Sequence, residues 1–234
     1  MKKLVILAAA ATVAVSANAQ WSDNFDSYAN GQQLHGVGGW AGWNNDPGAG
    51  ALVSNAQSSS APNSVDINGA SDLVHEFAGA TSGIWMFSGD VYIPTSYTGD
   101  SYFIMMNTYT GNGGNWSLQM HFDSATGMIR NNGGSTAGAV ETQVAFSRGQ
   151  WLPFDVTIDL DNNTHTGRYN STEVVSGIWY GGTGVAAIAN IDLFANGASS
   201  VFYDNLSLQV VPEPATFVAI GVGLAGLLAL RRRK

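Results

Sequence analysis

The chain of 234 residues contains no cysteine, and basic residues are few outside its two ends. The absence of thiols excludes a disulfide framework and a thiolate metal site. Between the ends, residues 20–210, here called the body, contain three arginines (Arg130, Arg148 and Arg168) and sixteen acidic residues. Because such a surface repels nucleic acid and anionic polymers, it excludes a nucleic-acid partner and suits neutral partners or divalent cations.

An amphipathic helix pattern is also missing before residue 215, whereas strand patterns are frequent. Residues 151–161 alternate apolar and polar side chains, which is the period of a half-buried strand. Residues 115–123 do the same and place Trp116 in phase with Leu118, which favours a core position for Trp116; the alternative is an exposed ring on which a sugar stacks. Short strands separated by turn signals roughly every 8–12 residues predict an all-β, antiparallel jelly-roll β-sandwich.

The chain begins with two lysines, continues with an uncharged apolar stretch over residues 4–15, and then reaches small residues at Ala17 and Ala19. This order is typical of a secretory signal peptide with a signal peptidase site. We therefore expect a signal peptide over residues 1–19, cleavage after Ala19 and export of the body.

The end of the chain combines three features in a fixed order. They are the motif Pro212-Glu213-Pro214, an uncharged apolar run over residues 215–230, and a basic cluster of Arg231, Arg232, Arg233 and Lys234. The run is a little shorter than the roughly 20 residues that cross a bilayer as a helix, and it predicts a short transmembrane helix. The positive-inside tendency places the basic cluster in the cytoplasm.

In these three features, residues 211–234 resemble a PEP-CTERM sorting signal. The resemblance implies a bacterial envelope protein that an exosortase recognises, that helix 215–230 holds in the inner membrane, and that is cut near the motif. The product would then pass to the cell surface or the extracellular matrix. The sorting residues would be Pro212, Glu213, Pro214, Arg231, Arg232 and Arg233. The alternative is a rigid, proline-rich stalk above an ordinary membrane anchor.

The body resembles the concanavalin A-like lectin and glucanase sandwich, including laminin-G-like modules. The likeness is carried by Asp23-Asn24-Phe25-Asp26, by residues 151–170 and by residues 202–208. It implies one jelly-roll domain over residues 20–210, a fold that hosts lectins, enzymes and spacers alike.

A carboxylate in the final strand suggests a metal. Asp204 shares the phase of Phe202 and Leu206, which predicts a charge among core side chains, and a buried charge needs a partner or a cation. Jelly-roll modules of this kind often hold calcium between the first and last strands, so the resemblance implies a structural Ca²⁺ at Asp26 and Asp204. The alternative is that Asp204 lies near the rim and caps backbone amides.

Carbohydrate binding is a further expectation, because sugars stack on exposed aromatic rings and hydrogen-bond to polar side chains. Trp179 and Tyr180 precede a Gly-Gly pair and predict a loop platform, while Gln119 and His121 share the polar face of their strand. These four residues are the candidate glycan-binding set.

No catalytic site is predicted. The glucanases of this fold carry an E-x-D-x-x-E motif, but the glutamates of the body, Glu76, Glu141 and Glu173, are isolated from one another. His75 begins an H-E-x-x-H pattern that fails at Gly79. We therefore expect a non-catalytic adhesive or structural protein that contacts neutral exopolysaccharide, and the alternative is a secreted glycoside hydrolase of the same fold.

Overall fold

A computed structural model describes residues 20–131 and 140–212. The expected signal peptide over residues 1–19, the expected transmembrane helix over residues 215–230 and the sorting motif from Glu213 onward lie outside these ranges. Within the two described ranges, no helix is long and apolar enough to cross a membrane.

The described ranges contain sixteen strands. In chain order they are β1 (Trp21–Asp23), β2 (Trp40–Gly42), β3 (Leu52–Ser54), β4 (Ser64–Ile67), β5 (Asp72–Glu76), β6 (Ile84–Tyr92), β7 (Asp100–Tyr109), β8 (Gly114–Asp123), β9 (Met128–Asn131), β10 (Val140–Glu141), β11 (Val144–Ala145), β12 (Trp151–Asp159), β13 (Thr164–Tyr169), β14 (Thr172–Ile178), β15 (Asn190–Asn196) and β16 (Val201–Val210).

These strands form two antiparallel sheets that face each other across one core. The nine-stranded sheet has the order β10-β14-β13-β12-β6-β16-β4-β3, and β1 also pairs with β16. The seven-stranded sheet has the order β11-β9-β8-β7-β15-β5-β2. Strands that are distant in sequence are neighbours in both sheets, as in a jelly roll, so the prediction of an all-β antiparallel sandwich is confirmed.

The period-two pattern determines which side chains enter the core. In β12, Phe154, Val156 and Ile158 are buried and alternate with partly exposed residues, as their spacing predicts. β7 lies between β8 and β15 and is buried on both faces over most of its length, which explains its uninterrupted apolar run.

The last strand departs from a simple alternation. Its pairing with β6 shifts register between Asp204 and Ser207, and Asn205 has a φ of 51°. Because of this bulge, Tyr203 enters the core, whereas Asp204 lies opposite Asp90 on the outer face of the nine-stranded sheet. The expectation that Asp204 is a buried carboxylate is confirmed, since it is 0% exposed, but it does not lie in the core between the two sheets.

Backbone hydrogen bonds tie both ends of the described body to neighbouring strands. The Gln20 amide donates to the Leu208 carbonyl at 2.9 Å, and the Val211 amide donates to the Ile84 carbonyl at 2.8 Å. Backbone pairing therefore continues to within one residue of Pro212, where the sorting motif begins.

Candidate functional site

The outer face of the seven-stranded sheet carries a groove with a volume of about 410 Å³. Its lining combines aromatic, aliphatic and polar side chains: Trp43, Asp72, Ile104, Trp116, Gln119, Asp192 and Phe194. We call these seven residues the groove.

Strand register brings the polar floor of the groove together. Asp72 lies directly opposite Phe194, and Asp192, two residues before Phe194, points to the same face. Across the next two ladders Asp192 lies opposite Ile104, and Ile104 lies opposite Gln119. The floor therefore draws on four strands, and only Gln119 among its polar residues is a sequence-predicted candidate.

Trp116 reaches the groove because β8 is irregular. Leu118 pairs with Met105, but Trp116 pairs with the next residue, Met106, so Ser117 has no direct partner in the ladder. The Asn107 side-chain amide donates to the Ser117 hydroxyl at 2.9 Å within this irregularity. The prediction of a core position for Trp116 is wrong, because the bulge turns its ring to the outer face beside Gln119.

Trp43 is a groove residue that the sequence pattern did not single out. It begins a single 3₁₀ turn over Trp43–Asn45, and its ring lies 6.3 Å from that of Trp116 at an interplanar angle of 24°. The ring of Tyr109 lies 5.0 Å away on another side. The turn is held by the Asn44 amide, which donates to the Gly111 carbonyl at 2.7 Å. Residues in a turn show no repeating pattern of burial in the sequence. The direction of the Trp43 side chain therefore depends on this long-range hydrogen bond.

Two carboxyl groups meet on the floor of the groove. Asp192 is 3% exposed, and the Oδ1 atoms of Asp72 and Asp192 are buried without a hydrogen-bond donor. The two residues are diagonal neighbours on the paired strands β5 and β15, and their carboxyl groups interact. Burial, and then the charge of Asp72, raises the pKa of Asp192 well above its usual range, and burial also raises the pKa of Asp72. Both carboxyl groups therefore keep a proton to a higher pH than an ordinary aspartate does.

His121 lies in a separate polar network on the same face. Its ring stacks on that of Tyr102 at 4.4 Å and 7°, and its Nε2 is 3.0 Å from an Asp100 oxygen. Arg130 contacts His121 Nδ1 through Nε at 3.4 Å and donates to Asp123 through Nη2 at 2.8 Å. His121 is 5% exposed and does not line the groove.

The expected platform at Trp179 and Tyr180 does not form as a pair of exposed rings. Trp179 is fully buried, donates from Nε1 to the Ala187 carbonyl at 2.6 Å, and packs against His165. The prediction of an exposed ring at Trp179 is therefore wrong. Tyr180 is partly exposed, and its backbone amide donates to the Asn163 side chain at 2.9 Å.

The candidate calcium ligands bind backbone amides. Asp204 accepts from the amides of Ser59 and Ser60 at 2.8 Å each and from its neighbour Asn205 at 2.7 Å. Asp26 accepts from the Asn63 amide at 3.0 Å. Donors of this kind occupy the lone pairs that a cation needs, so the Asp204 environment does not fit Ca²⁺. Across the described residues, no group of three or more histidine or acidic side chains is arranged to hold a metal ion.

The tail of the chain has a known counterpart. Residues 210–234 match the family described as the PEP-CTERM protein-sorting motif. The chain carries a PEP-CTERM sorting signal. This signal implies an exported protein that is anchored in the membrane, is then processed, and has an exosortase as its processing enzyme.

Solved structures support the fold of the body. The globular domain of T. cruzi calreticulin is 8% identical, with 91% of this chain and 95% of that chain covered and a TM-score of 0.57. A Trypanosoma rangeli sialidase in complex with sialic acid is 13% identical, with 76% of this chain and 30% of that chain covered and a TM-score of 0.51. No curated protein sequence matches the chain. At these identities the likeness shows the β-sandwich fold alone.

Proposed function

We propose that this PEP-CTERM protein is a non-catalytic adhesive module that contacts neutral extracellular polysaccharide through the groove. The observation that carries the proposal is the pair of near-parallel rings of Trp43 and Trp116 beside the polar floor formed by Asp72, Gln119 and Asp192. A sugar ring has an apolar face and a rim of hydroxyl groups, so it needs both an aromatic surface and nearby polar side chains.

The dimensions and charge of the groove support this assignment. Its volume of about 410 Å³ falls within the usual range of ligand pockets, about 300–1,000 Å³. Its aromatic rings are partly exposed, unlike the buried ring of Trp179. Since the body is strongly acidic, a neutral polymer meets no general electrostatic repulsion, whereas an anionic polymer does.

A secreted glycoside hydrolase is the competing function. The carboxyl groups of such enzymes lie about 5–5.5 Å apart in retaining enzymes and about 6.5–9.5 Å apart in inverting ones. Asp72 and Asp192 are instead diagonal neighbours on the paired strands β5 and β15, and their side chains interact directly on the floor of the groove rather than facing each other across a bound sugar. This closeness supports a binding role over hydrolysis.

The sorting signal supplies the location of this activity. In our proposal signal peptidase removes residues 1–19, and helix 215–230 holds the protein in the inner membrane with the body outside the cytoplasm. Exosortase processing near Pro212 then passes the body to the cell surface or the extracellular matrix. The groove would there meet the exopolysaccharide of the same bacterium.

Sedimentation of the full chain with insoluble or cross-linked polymers tests the proposal. The detergent-solubilised protein is mixed with cellulose, xylan, mannan and the exopolysaccharide of its own host, and the bound fraction and the released reducing sugar are both measured. Binding without sugar release is the expected result. Absence of binding to every polymer would contradict the adhesive function, and release of reducing sugar would favour the hydrolase.

A further inference from the structure

The floor of the groove holds two carboxyl groups at a place where ionising both of them would cost free energy. Asp192 lines the groove, is 3% exposed, and has an Oδ1 atom with no donor, as does Asp72. A single proton between the two groups supplies a donor, because a protonated carboxyl group donates to its ionised neighbour. The floor then carries one negative charge instead of two.

The surrounding elements supply no cation to replace that proton. The titratable and charged side chains that share this face are Glu76 on β5, Asp100, Tyr102 and Tyr109 on β7, His121 and Asp123 on β8, and Arg130 on β9. Arg130 lies four strands from Asp72 along one row, about 19 Å at the usual strand spacing. It is also engaged with Asp123.

The remaining neighbours cannot neutralise a second charge. Glu76 carries a carboxyl group of its own, and His121 is held at 3.0 Å by Asp100. Burial raises the pKa of Tyr109 to about 12, so its phenol stays neutral over the range in which carboxyl groups titrate. Loss of the shared proton would therefore leave two adjacent carboxylates without compensation.

We propose that the proton shared by Asp72 and Asp192 determines the specificity of the groove, which holds a neutral sugar while the proton is present and releases it when base removes the proton. This inference rests on the proposed polysaccharide-binding function and adds its selectivity and its response to pH. A uronic acid would bring a further carboxylate to the same floor, so polyuronates should bind at least tenfold more weakly than a neutral polymer.

The conservative variant Asp192→Asn tests the role of the proton. An asparagine amide mimics the protonated acid, because it donates a hydrogen bond and carries no charge. Binding of wild-type protein to the neutral polymer should fall at least tenfold between about pH 6 and about pH 10, whereas binding by Asp192→Asn should stay flat. Asp155→Asn is the matched control, because Asp155 lies on the other sheet and pairs with Arg168; its binding should fall as in the wild type.

A second measurement does not depend on any polymer. Carbon-13 NMR of aspartate-labelled full chain should show one carboxyl group that stays protonated to a higher pH than the exposed aspartates do and that disappears in Asp192→Asn. If no aspartate titrates above the exposed ones, if wild-type binding is independent of pH, or if Asp192→Asn falls in parallel with the wild type, the inference is overturned. Failure of the wild type to bind any polymer at any pH would instead contradict the proposed function, and the NMR result would still decide whether the proton is shared.

Discussion

Trp116 packs against Trp43 with ring centroids 6.3 Å apart, although the two residues lie 73 positions apart in the chain. One ring comes from the strand β8 and the other from the 3₁₀ turn Trp43–Asn45. Among the polar residues of the floor, only Gln119 lies near either ring in sequence. The aromatic surface is therefore a product of the tertiary fold.

Replacement of Trp116 by alanine should remove polysaccharide binding with little effect on stability. Its partly exposed ring contributes to the groove, whereas the main core lies between the sheets. We expect at least a tenfold loss of affinity in sedimentation assays, equivalent to about 1.4 kcal/mol. Trp151→Ala is the matched control, because Trp151 is a partly exposed tryptophan that contacts Tyr92 on the nine-stranded sheet. Equal losses of affinity in the two variants would contradict the assignment of the groove as the polysaccharide-binding site.

Trp179→Ala should behave differently, because Trp179 is a core residue and not a binding platform. Its ring is fully buried and donates to the Ala187 carbonyl. We expect the free energy of unfolding to fall by about 3–5 kcal/mol, as measured by urea denaturation. A variant that keeps wild-type stability and loses only sugar binding would restore Trp179 as a ligand contact.

The sequence predicts the sandwich but not the composition of the groove. Alternation over residues 151–161 corresponds directly to β12, because a regular strand keeps its period. The same reasoning fails at Trp116 and at Asp204, because bulges beside Ser117 and Asn205 break the alternation, so side chains before and after each bulge that the pattern assigns to one face lie on opposite faces. A bulge depends on the partner strand, so the pattern of one strand does not reveal it.

The carboxyl pair is hidden from sequence reasoning for a different reason. Asp72 and Asp192 lie on β5 and β15, which become neighbours only through the jelly-roll topology. Gln119 could be found because it lies on the polar face of an otherwise apolar strand. The tail is the opposite case, since the order of the Pro-Glu-Pro motif, apolar run and arginine cluster is local and identifies the sorting signal directly.

Asp204 should anchor the segment around residues 59–60 without calcium. Its carboxylate accepts from the Ser59 and Ser60 amides, and Asp204→Ala would remove the charged acceptor of both donors. We expect a loss of about 3 kcal/mol in the free energy of unfolding. Asp46→Ala, which removes an exposed cap of the Gly48 amide, should cost about 0.5 kcal/mol.

Chelation distinguishes the amide-capping role of Asp204 from a role as a calcium ligand. Addition of EDTA to the wild-type protein should leave its melting temperature unchanged. A drop of several degrees that added Ca²⁺ reverses, and that Asp204→Ala abolishes, would establish the calcium ion that the resemblance implied.

Stability should fall in acid because two histidines are buried in their neutral form. Burial lowers the pKa of His75 and of His165 to about 4 in the folded state. The unfolded chain therefore binds more protons between about pH 6.5 and about pH 4, and stability decreases as the pH falls through that window. Each histidine contributes up to about 3 kcal/mol to the loss.

Asp72 and Asp192 change stability with pH in the opposite direction, because their raised pKa values make the folded state bind more protons than the unfolded chain. Their effect is a loss of stability as the pH rises above about 4. In urea denaturation between about pH 4 and about pH 6.5, His165→Gln should therefore make stability rise less steeply with pH than in the wild type, and Asp192→Asn should make it rise more steeply. If His165→Gln leaves this slope unchanged, the buried histidine does not contribute to it.

The indole N–H resonances of the seven tryptophans test the groove most directly. Titration of nitrogen-15-labelled full chain with soluble oligosaccharides of the bound polymer should shift the signals of Trp43 and Trp116. The signals of Trp40, Trp85 and Trp179, whose indoles donate to Asp23, Ser82 and Ala187, should stay in place. Shifts confined to tryptophans outside the groove, with Trp43 and Trp116 unchanged, would contradict the account.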